Sequence, residues 1–358
     1  MKIITRIACI VAVSLHVHHY AHPGESMKSE FMKFESMKLA DRYRNVPVLV
    51  TGGCGFIGSH IVERLVGYGA QVTVLDDCST GNEQNIAPFN NKIRYIRGSV
   101  ADMQTCLEAA HGAQIIFHLG AFISVPQSLE QPDVCYRNNI DGTAHLLEAA
   151  RCCGVPRFVF SSSAAVYGPQ AGVCRESMPC APESPYGYSK WIGELLCQQY
   201  TRCFGLKTVC LRYFNVYGDR QNPDGAYAAV VAKFKHQMQH NLPITIFGDG
   251  LQTRDFVPVA RVVDANLQLA LLDDSLMLGQ VFNIATGTSI TLLELIDILK
   301  KEFPNYTGAI QFAPARPGDI QHSAADCSTY QALVTQLPTI LNSTSTKTSM
   351  HVQEPATP

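Results

Sequence analysis

The amino-acid sequence predicts an α/β protein, a doubly wound parallel sheet with a smaller C-terminal domain. A short apolar segment rich in valine runs into three regularly spaced glycines, which indicates a strand, a tight turn and a helix. Strand and helix signals then alternate as far as residue 215, as in parallel sheets with helical crossovers. Prolines interrupt the alternation beyond that point, so a second domain is expected to begin there.

The first turn has the features of a dinucleotide site. Gly52, Gly55 and Gly58 let the backbone turn sharply, approach a pyrophosphate closely and direct free helix N–H groups towards its charge. The next strand, Gln71–Leu75, ends at Asp76, about 20 residues further on, where a carboxylate can hold a pair of ribose hydroxyls. Because that carboxylate repels a 2′-phosphate and no arginine follows at once, the predicted cofactor is NAD. The alternative is an unrelated glycine-rich loop in which Asp76 only caps a turn.

The remaining elements of the first sheet follow in chain order. The apolar pattern predicts strands near Ile93–Ile96, Gln114–His118, Arg157–Ser161 and Lys207–Arg212. It predicts helices over Met103–Ala110, Asn139–Cys153 and Tyr188–Phe204. Two strongly apolar segments are expected to return to this sheet later, a helix over Val259–Leu272 and a strand over Gln280–Ile284.

These signals predict the domain boundaries. Residues 1–40 form a leader, either disordered or upstream of the functional start. Residues 41–215 form the cofactor domain, with 256–285 returning to it. Residues 216–255 and 286–335 form the substrate domain, and the Ser/Thr-rich end over 336–358 is expected to be a disordered tail.

Composition narrows the choice of partners. The chain has 358 residues, only 16% of them charged, and a net charge of -2, so no basic surface for nucleic acid is indicated and small molecules are the expected partners. The 13 cysteines are scattered and odd in number and form no Cys-x-x-Cys spacing. The sequence therefore predicts free thiols, with no metal site and no disulfide framework.

The N-terminus partly resembles a signal peptide, with Lys2 and Arg6 before the apolar stretch Ile7–Leu15. It lacks a small-x-small cleavage site, and the apolar stretch is too short to cross a bilayer. A cytoplasmic protein without a membrane partner is predicted.

Three side chains suited to proton transfer follow the predicted strand Arg157–Ser161. Tyr186 and Lys190 are four residues apart, so on a helix they share a face. A phenol is a poor base at neutral pH, but a neighbouring ammonium and an oxidised nicotinamide both favour the phenolate, which predicts Tyr186 as general base. Ser163 lies at the carboxyl end of its strand, where parallel sheets place ligands, and its hydroxyl can share the transferred proton. A Tyr-x-x-x-Lys spacing alone is more often an ordinary helix pair, and the cofactor turn is what favours catalysis.

Four motifs resemble the extended short-chain dehydrogenase/reductase family, and within it the nucleotide-sugar 4-epimerases. These motifs are residues 51–58, 161–168 and 211–218, together with the pair Tyr186 and Lys190. The similarity to the family extends from Val46 to Asp326. Residues 124–128 and 220–230 resemble the branch that acts on UDP-N-acetylglucosamine and its uronic acid. The resemblance implies a Rossmann-type sheet, NAD as cofactor and a UDP-sugar as substrate.

The resemblance also implies roles for individual residues. Asn139 matches an asparagine that positions the cofactor, and Tyr213 matches a tyrosine that borders the nicotinamide. The implied cofactor-binding set is completed by Gly52, Gly55, Phe56, Ile57, Gly58, Asp76, Asp77, Ser79, Thr80, Gly81, Ser99, Val100, Leu119, Gly120, Ala121, Tyr186 and Lys190. The implied substrate contacts are Ser124, Ser163, Tyr186, Asn215, Gln221, Ala229, Val230, Arg254, Arg316, Asp319 and Ser323.

Some of these substrate contacts carry a specific expectation. Arg254 and Arg316 match a pair that grips the UDP diphosphate, for which guanidinium groups are well suited. Asp319 matches a carboxylate that holds the uridine ribose. Ser323 stands where relatives restricted to non-acetylated sugars carry a tyrosine, which implies room for an N-acetyl group.

Two departures from the family pattern accompany the resemblance. Ser99 replaces an aspartate that contacts adenine in many relatives. The segment after Asp326 lacks the helical end with a Leu-Gly-Tyr turn that relatives usually have.

The predicted reaction is a reversible, NAD-dependent 4-epimerisation of a UDP-hexosamine through a 4-keto intermediate. The predicted substrates are UDP-N-acetylglucosamine and UDP-N-acetylgalactosamine, with UDP-glucose and UDP-galactose as a further pair. The alternatives are the 4-epimerase of the corresponding uronic acid, a nucleotide-sugar 4,6-dehydratase and a non-catalytic NAD-binding protein. Dehydratases carry an Asp-Glu pair where this chain has Ala164 and Ala165, which transfer no protons. The intact Ser163, Tyr186 and Lys190 argue against a non-catalytic protein, whereas the unusual C-terminus favours it.

A homodimer is also predicted, because relatives pair two helices across a two-fold axis. The corresponding segments, Asn139–Cys153 and Tyr188–Phe204, carry apolar residues beyond what one sheet face should bury. Among these residues are Leu146, Leu147, Leu195 and Leu196.

Overall fold

The computed structural model describes residues 39–170, 172–222, 230–315 and 321–343. The strands are β1 (Pro47–Thr51), β2 (Gln71–Asp76), β3 (Ile93–Arg97), β4 (Ile115–His118), β5 (Arg157–Ser163), β6 (Val173–Cys174), β7 (Lys207–Tyr213), β8 (Asn215–Tyr217), β9 (Ile244–Phe247), β10 (Thr253–Pro258), β11 (Leu278–Ile284), β12 (Ser289–Thr291), β13 (Ile310–Ala313) and β14 (Ala324–Ala325). The α-helices are α1 (Phe56–Gly67), α2 (Met103–Ala110), α3 (Val125–Glu130), α4 (Pro132–Tyr136), α5 (Gly142–Cys152), α6 (Pro185–Phe204), α7 (Val230–Gln239), α8 (Val259–Leu269), α9 (Leu292–Glu302) and α10 (Ser328–Ser343). None of the helices in these ranges combines the length and apolar character needed to cross a bilayer.

Seven parallel strands form the central sheet, in the spatial order β11, β7, β5, β4, β1, β2, β3. The strand order reverses between β1 and β4, which is where doubly wound sheets open a crevice for a ligand. This topology confirms the predicted α/β class, and β11 returns to the sheet as expected.

Both faces of the central sheet are covered. Val48 and Val50 of β1 belong to one hydrophobic cluster, whereas Leu49 between them belongs to another on the opposite face. Because side chains alternate along a strand, this division places a core on each side of the sheet. All four residues of β4 are buried, as expected for a strand with both faces covered.

Helix α6 packs closely on β5. A Cβ added at Gly193 would overlap the ring of Phe160, so only glycine allows this approach. Beside it, Glu194 and Arg212 form an ion pair of 2.7 Å whose side chains are 2% and 4% exposed. The pair fixes the helix against β5 and β7.

The second region has its own hydrophobic cluster. It unites α7, β9 and α9, and its buried members are Val231, Phe234, Met238, Ile244, Ile246, Phe256, Leu292, Leu295, Ile296 and Leu299. Strands β8, β10 and β12 form a three-stranded sheet next to it, and β9 pairs with β13. The cluster lies largely within the predicted substrate domain, whose boundaries stay a prediction.

The C-terminal helix contacts the first core. Helix α10 packs on it through Tyr330, Leu333 and Val334, and Tyr330 donates a 2.8 Å hydrogen bond to Gln268 of α8. The helix continues to Ser343, into the segment 336–358 that was predicted as a tail. The domain boundaries at this end stay a prediction.

At the other end, the predicted leader lies outside the described residues except for Leu39 and Ala40. Leu39 is buried and joins the first core with Tyr43. Leu39, within the predicted leader, is therefore part of the first core.

The apolar residues used to predict a dimer fall into two groups. Leu146 and Leu147 of α5 are fully buried in a cluster with Cys106 and Ala109 of α2, so the argument from these two leucines is wrong. Helix α2 covers these two leucines in addition to the sheet. Leu195 of α6 is 47% exposed, and the homodimer stays a prediction.

Candidate active site

The turn between β1 and α1 forms a cradle of main-chain atoms. Gly52 has a φ of 68°, and a Cβ there would lie 2.7 Å from the Gly120 nitrogen. A Cβ on Gly58 would overlap the Gly52 carbonyl oxygen. Within the described part of the chain, no side chain caps the N-terminus of α1, so its N–H groups remain available to an anion.

Asp76 lies at the edge of this cradle, at the end of β2. Its carboxylate accepts 2.8 Å hydrogen bonds from the main-chain nitrogens of Cys54 and Cys78. Burial raises the pKa of Asp76, and these two hydrogen bonds act in the opposite direction. The bare helix terminus, the glycine cradle and the fixed carboxylate fit the pyrophosphate and ribose of NAD.

The other predicted cofactor residues surround the cradle. Phe56 and Ile57 begin α1, and Asp77, Ser79, Thr80 and Gly81 form the loop after β2. Ser99 and Val100 follow β3, and Leu119, Gly120 and Ala121 follow β4. The fold thus brings these segments to the carboxyl ends of β1 to β4, although their contacts with NAD stay a prediction.

Thr51 and His118 connect β1 to β4 at this edge, and the sequence analysis assigned neither a role. The Thr51 hydroxyl accepts hydrogen bonds from the nitrogens of Leu119 (3.2 Å) and Gly120 (3.0 Å) and lies 2.8 Å from His118 Nδ1. Burial lowers the pKa of His118 to about 3, which keeps the ring neutral. Thr51 and His118 are each a polar residue at the end of an apolar strand, and this pattern in the sequence could have identified them.

Asn139 lies in the π-helical turn Arg137–Asp141, between α4 and α5. Its Oδ1 accepts from the Phe122 nitrogen at 2.7 Å, and its Nδ2 donates to the Phe122 oxygen at 3.0 Å and to Ser189 Oγ at 2.9 Å. The side chain therefore joins the segment after β4 to α6, so it positions the walls of the site.

The three candidate catalytic side chains come together at the carboxyl end of β5. Ser163 is the last residue of that strand, and its hydroxyl acts to lower the pKa of Tyr186 at the start of α6. Lys190, one turn further along α6, lies with its Nζ 5.9 Å from the centroid of the Tyr186 ring. The predicted Ser163, Tyr186 and Lys190 grouping is thus formed by the fold.

Burial is the main influence on the pKa values in this grouping. It raises the pKa of Tyr186, and the Ser163 hydroxyl acts in the opposite direction. The Lys190 ammonium donates to the Ser161 carbonyl oxygen at 2.9 Å, and burial lowers the pKa of Lys190 to about 8. That Lys190 and an oxidised nicotinamide both favour the Tyr186 phenolate stays a prediction.

Tyr213 lies on β7, next to the catalytic strand. Its hydroxyl is 3.0 Å from Ser161 Oγ and donates to Asn266 Oδ1 at 3.0 Å. Burial raises the pKa of the Tyr213 phenol to about 12. The side chain is therefore neutral and forms part of the wall of the site.

The predicted substrate residues are dispersed over the second region and its border. Asn215 of β8 donates to the Asp255 oxygen at 3.1 Å, and Gln221 donates to the Val216 oxygen at 3.0 Å. The segment that contains Ser323 runs beside β10, which carries Arg254. Two further residues begin helices, Ser124 as the cap of α3 and Val230 as the first residue of α7. Ala229, Arg316 and Asp319 lie outside the described residues.

Glu194 is a further residue of this site that is absent from the predicted set. It lies four residues after Lys190 on the same face of α6, accepts a 2.5 Å hydrogen bond from Ser162 and pairs with Arg212. The Arg212 guanidinium in turn lies 4.6 Å from the centroid of the Tyr167 ring. This network fixes the helix that carries Tyr186 and Lys190.

Comparisons with known proteins show the family to which the chain belongs. A model of the NAD dependent epimerase/dehydratase family matches residues 48–285. The chain belongs to this family. A putative UDP-glucose 4-epimerase from Methanocaldococcus jannaschii is 37% identical over 80% of this chain and 92% of its own length.

Two solved structures are similar across most of the chain. The UDP-glucose 4-epimerase of Thermotoga maritima, with UDP-glucose, has a TM-score of 0.75 at 37% identity, covering 80% of this chain and 92% of that one. A UDP-N-acetylglucosamine 4-epimerase from Methanobrevibacter ruminantium, with UDP-N-acetylmuramic acid, has a TM-score of 0.77 at 34% identity, covering 85% and 100%. The predicted family, the Rossmann-type fold, NAD as cofactor and the enzyme class of NAD-dependent nucleotide-sugar epimerases are confirmed.

Replacement of Gly58 tests the cradle. Gly58→Ala places a methyl group on the Gly52 oxygen, so the protein is expected to purify without NAD while its circular dichroism stays that of a folded chain. Gly67→Ala at the end of the same helix is the matched control, since a Cβ there has open space and NAD should remain. Acid release and quantification of the nucleotide gives the occupancy, and a Gly58→Ala protein with full NAD content would contradict the assigned cradle.

Proposed function

We propose that this enzyme interconverts UDP-N-acetylglucosamine and UDP-N-acetylgalactosamine by epimerisation at C4, with UDP-glucose and UDP-galactose as a second substrate pair. The observation that carries the proposal is the grouping of Ser163, Tyr186 and Lys190 beside the glycine cradle. These side chains lie where a sugar hydroxyl, a proton acceptor and the nicotinamide end of a cofactor can meet.

In the proposed reaction Tyr186 accepts the proton of the 4-hydroxyl group as C4 is oxidised to a ketone. Bound NAD supplies the acceptor for the hydrogen of C4 and, through its positive ring, favours the Tyr186 phenolate. Ser163 is placed to share the proton, since its hydroxyl acts to lower the pKa of Tyr186. After the 4-keto sugar turns over in the pocket, Tyr186 returns the proton to the new 4-hydroxyl group, so no external oxidant is consumed.

Lys190 has a positioning role in this proposal. Lys190 lies one turn after Tyr186 on α6, and its ammonium donates to the Ser161 carbonyl oxygen of β5. This hydrogen bond holds α6 against the end of β5. With a pKa of about 8, Lys190 is largely charged at neutral pH, and its charge adds to the field that favours the phenolate once the cofactor is bound.

The substrate assignment follows from the residues near β10. Arg254 is proposed to bind the diphosphate, together with Arg316, and Asp319 the uridine ribose. The Ser323 nitrogen donates a 3.0 Å hydrogen bond to the Thr253 oxygen, so Ser323 is close in space to Arg254. A small side chain beside the diphosphate anchor is consistent with room for the N-acetyl group.

A 4,6-dehydratase reaction is disfavoured by the short helical turn after β5. Dehydration needs an acid and a base near C5 and C6, but Ala164 and Ala165 follow Ser163 there. The Ala165 nitrogen donates to Ser163 Oγ at 3.2 Å, so this main chain supports the serine and carries no proton-transferring side chain.

The homodimer is part of this proposal. Tyr188 and Leu195 of α6 are 45% and 47% exposed, and a second copy paired across this helix would cover them. Sedimentation equilibrium at micromolar concentration tests the assembly, and a monomer would contradict it.

The role of Tyr186 is tested by removing only its hydroxyl group. Tyr186→Phe should retain NAD and lower kcat for UDP-N-acetylglucosamine by about 10²–10⁴-fold, the range expected for loss of a general base. The matched control is Tyr136→Phe, an exposed tyrosine at the end of α4, which should leave kcat unchanged. Near-normal turnover of Tyr186→Phe would exclude this tyrosine from the mechanism.

The size of the residue at position 323 tests the substrate. Ser323→Tyr should abolish turnover of UDP-N-acetylglucosamine and spare UDP-glucose, because a phenol ring would occupy the space needed by the N-acetyl group. Ser323→Ala, which keeps the space open, should retain both activities. The substrate proposal is wrong if wild-type protein epimerises UDP-glucose but rejects the acetylated sugar, or if the tyrosine variant keeps its preference.

A further inference from the structure

Two thiols and a carboxylate converge at the ribose end of the cofactor cradle. The Sγ atoms of Cys54 and Cys78 and a carboxylate oxygen of Asp76 all lie within 4.8 Å of one another. Cys54 and Asp76 are buried, and Cys78 is half-buried. No Cys-x-x-Cys spacing predicted this cluster, because the two cysteines come from different turns of the sheet, one after β1 and one after β2.

The main chain holds these side chains in place. Asp76 accepts a hydrogen bond from the nitrogen of each cysteine, one on each carboxylate oxygen. Cys78 has a φ of 58°, a left-handed conformation that few residues other than glycine adopt. The cluster is therefore preorganised by the same loop that encloses the predicted ribose site.

Separations of no more than 4.8 Å bring the three side chains within reach of one tetrahedral ion. With metal–sulfur and metal–oxygen distances near those of zinc, two ligands on one ion lie about 3.6–3.8 Å apart, so small rotations of the side chains are enough. Glu83 can complete the shell, since its carboxylate is 3.8 Å from Cys78 Sγ. The Tyr95 hydroxyl lies 3.3 Å from that sulfur and donates to Glu83 at 3.1 Å, and Arg97 pairs with Glu83 at 3.3 Å.

We propose that Cys54, Cys78 and Asp76 form a binding site for a thiophilic divalent cation such as Zn²⁺, and that the cation and NAD exclude each other. Two cysteine sulfurs and a carboxylate are a donor set that zinc accepts. Asp76 is also the residue assigned to the NAD ribose, so the cation and the nucleotide compete for one carboxylate. The cation thereby controls how much of the protein is loaded with NAD. The competition rests on that cofactor assignment, whereas binding of the cation does not.

Cobalt titration of NAD-free protein tests the site without any sugar or turnover. With a reductant present that keeps thiols reduced, Co²⁺ is expected to produce thiolate-to-cobalt charge-transfer absorption and the visible bands of a tetrahedral ion. Cys78→Ser and Cys54→Ser should each weaken Co²⁺ binding by at least about 100-fold, beyond the loss typical of a group that only supports a ligand. Cys203→Ser, an exposed cysteine on α6, is the matched control and should bind Co²⁺ as wild type does.

Two results would overturn the proposal. The metal site is wrong if the wild type shows no charge-transfer band, or if the band persists in Cys78→Ser. The competition is wrong if protein saturated with NAD binds Co²⁺ as tightly as NAD-free protein, whereas at least a tenfold weaker binding is expected. Neither result depends on which sugar is epimerised, so failure here is distinguishable from failure of the proposed reaction.

Discussion

The buried ion pair between Glu194 and Arg212 is the contact on which the catalytic geometry depends. It joins α6 to β7, and through Ser162 it also joins the helix to β5. A pair with both side chains this deeply buried is costly to desolvate, and loss of one partner alone typically destabilises a protein by roughly 3–5 kcal/mol. Because Tyr186 and Lys190 precede Glu194 on α6 while Ser163 ends β5, the pair helps to fix the distance between Tyr186, the proposed proton acceptor, and Ser163.

The same edge of the sheet carries both halves of the reaction. The glycine cradle lies at the end of β1, the catalytic grouping lies at the end of β5, and β4 lies between them. Thr51 and His118 join the ends of β1 and β4, and Asn139 joins the segment after β4 to α6. Polar contacts therefore run from the cofactor turn to α6, the helix that carries Tyr186. They help to fix the position of the glycine cradle relative to Ser163, Tyr186 and Lys190.

Much of this arrangement could be predicted from the sequence, because its signals are local. The glycine turn, the alternation of strands and helices and the spacing of Tyr186 and Lys190 each depend on residues close together in the chain. Contacts between distant segments could not be predicted in this way. The sequence placed Leu146 and Leu147 on a free surface, since the packing of α2 against α5 has no signature in either helix alone. For the same reason, the sequence could not predict that Cys54 lies close to Cys78 or that Lys190 hydrogen-bonds to Ser161.

The proposed reaction oxidises and then reduces C4 of the sugar within one closed site. Its direct test is a crossover experiment with UDP-N-acetylglucosamine carrying deuterium at C4, mixed with substrate labelled with heavy carbon in the sugar ring. Mass spectrometry of the product should find deuterium retained, and only on molecules without heavy carbon, because the hydrogen returns to the carbon that it left. Deuterium lost to water, or transferred to the heavy-carbon molecules, would contradict the account.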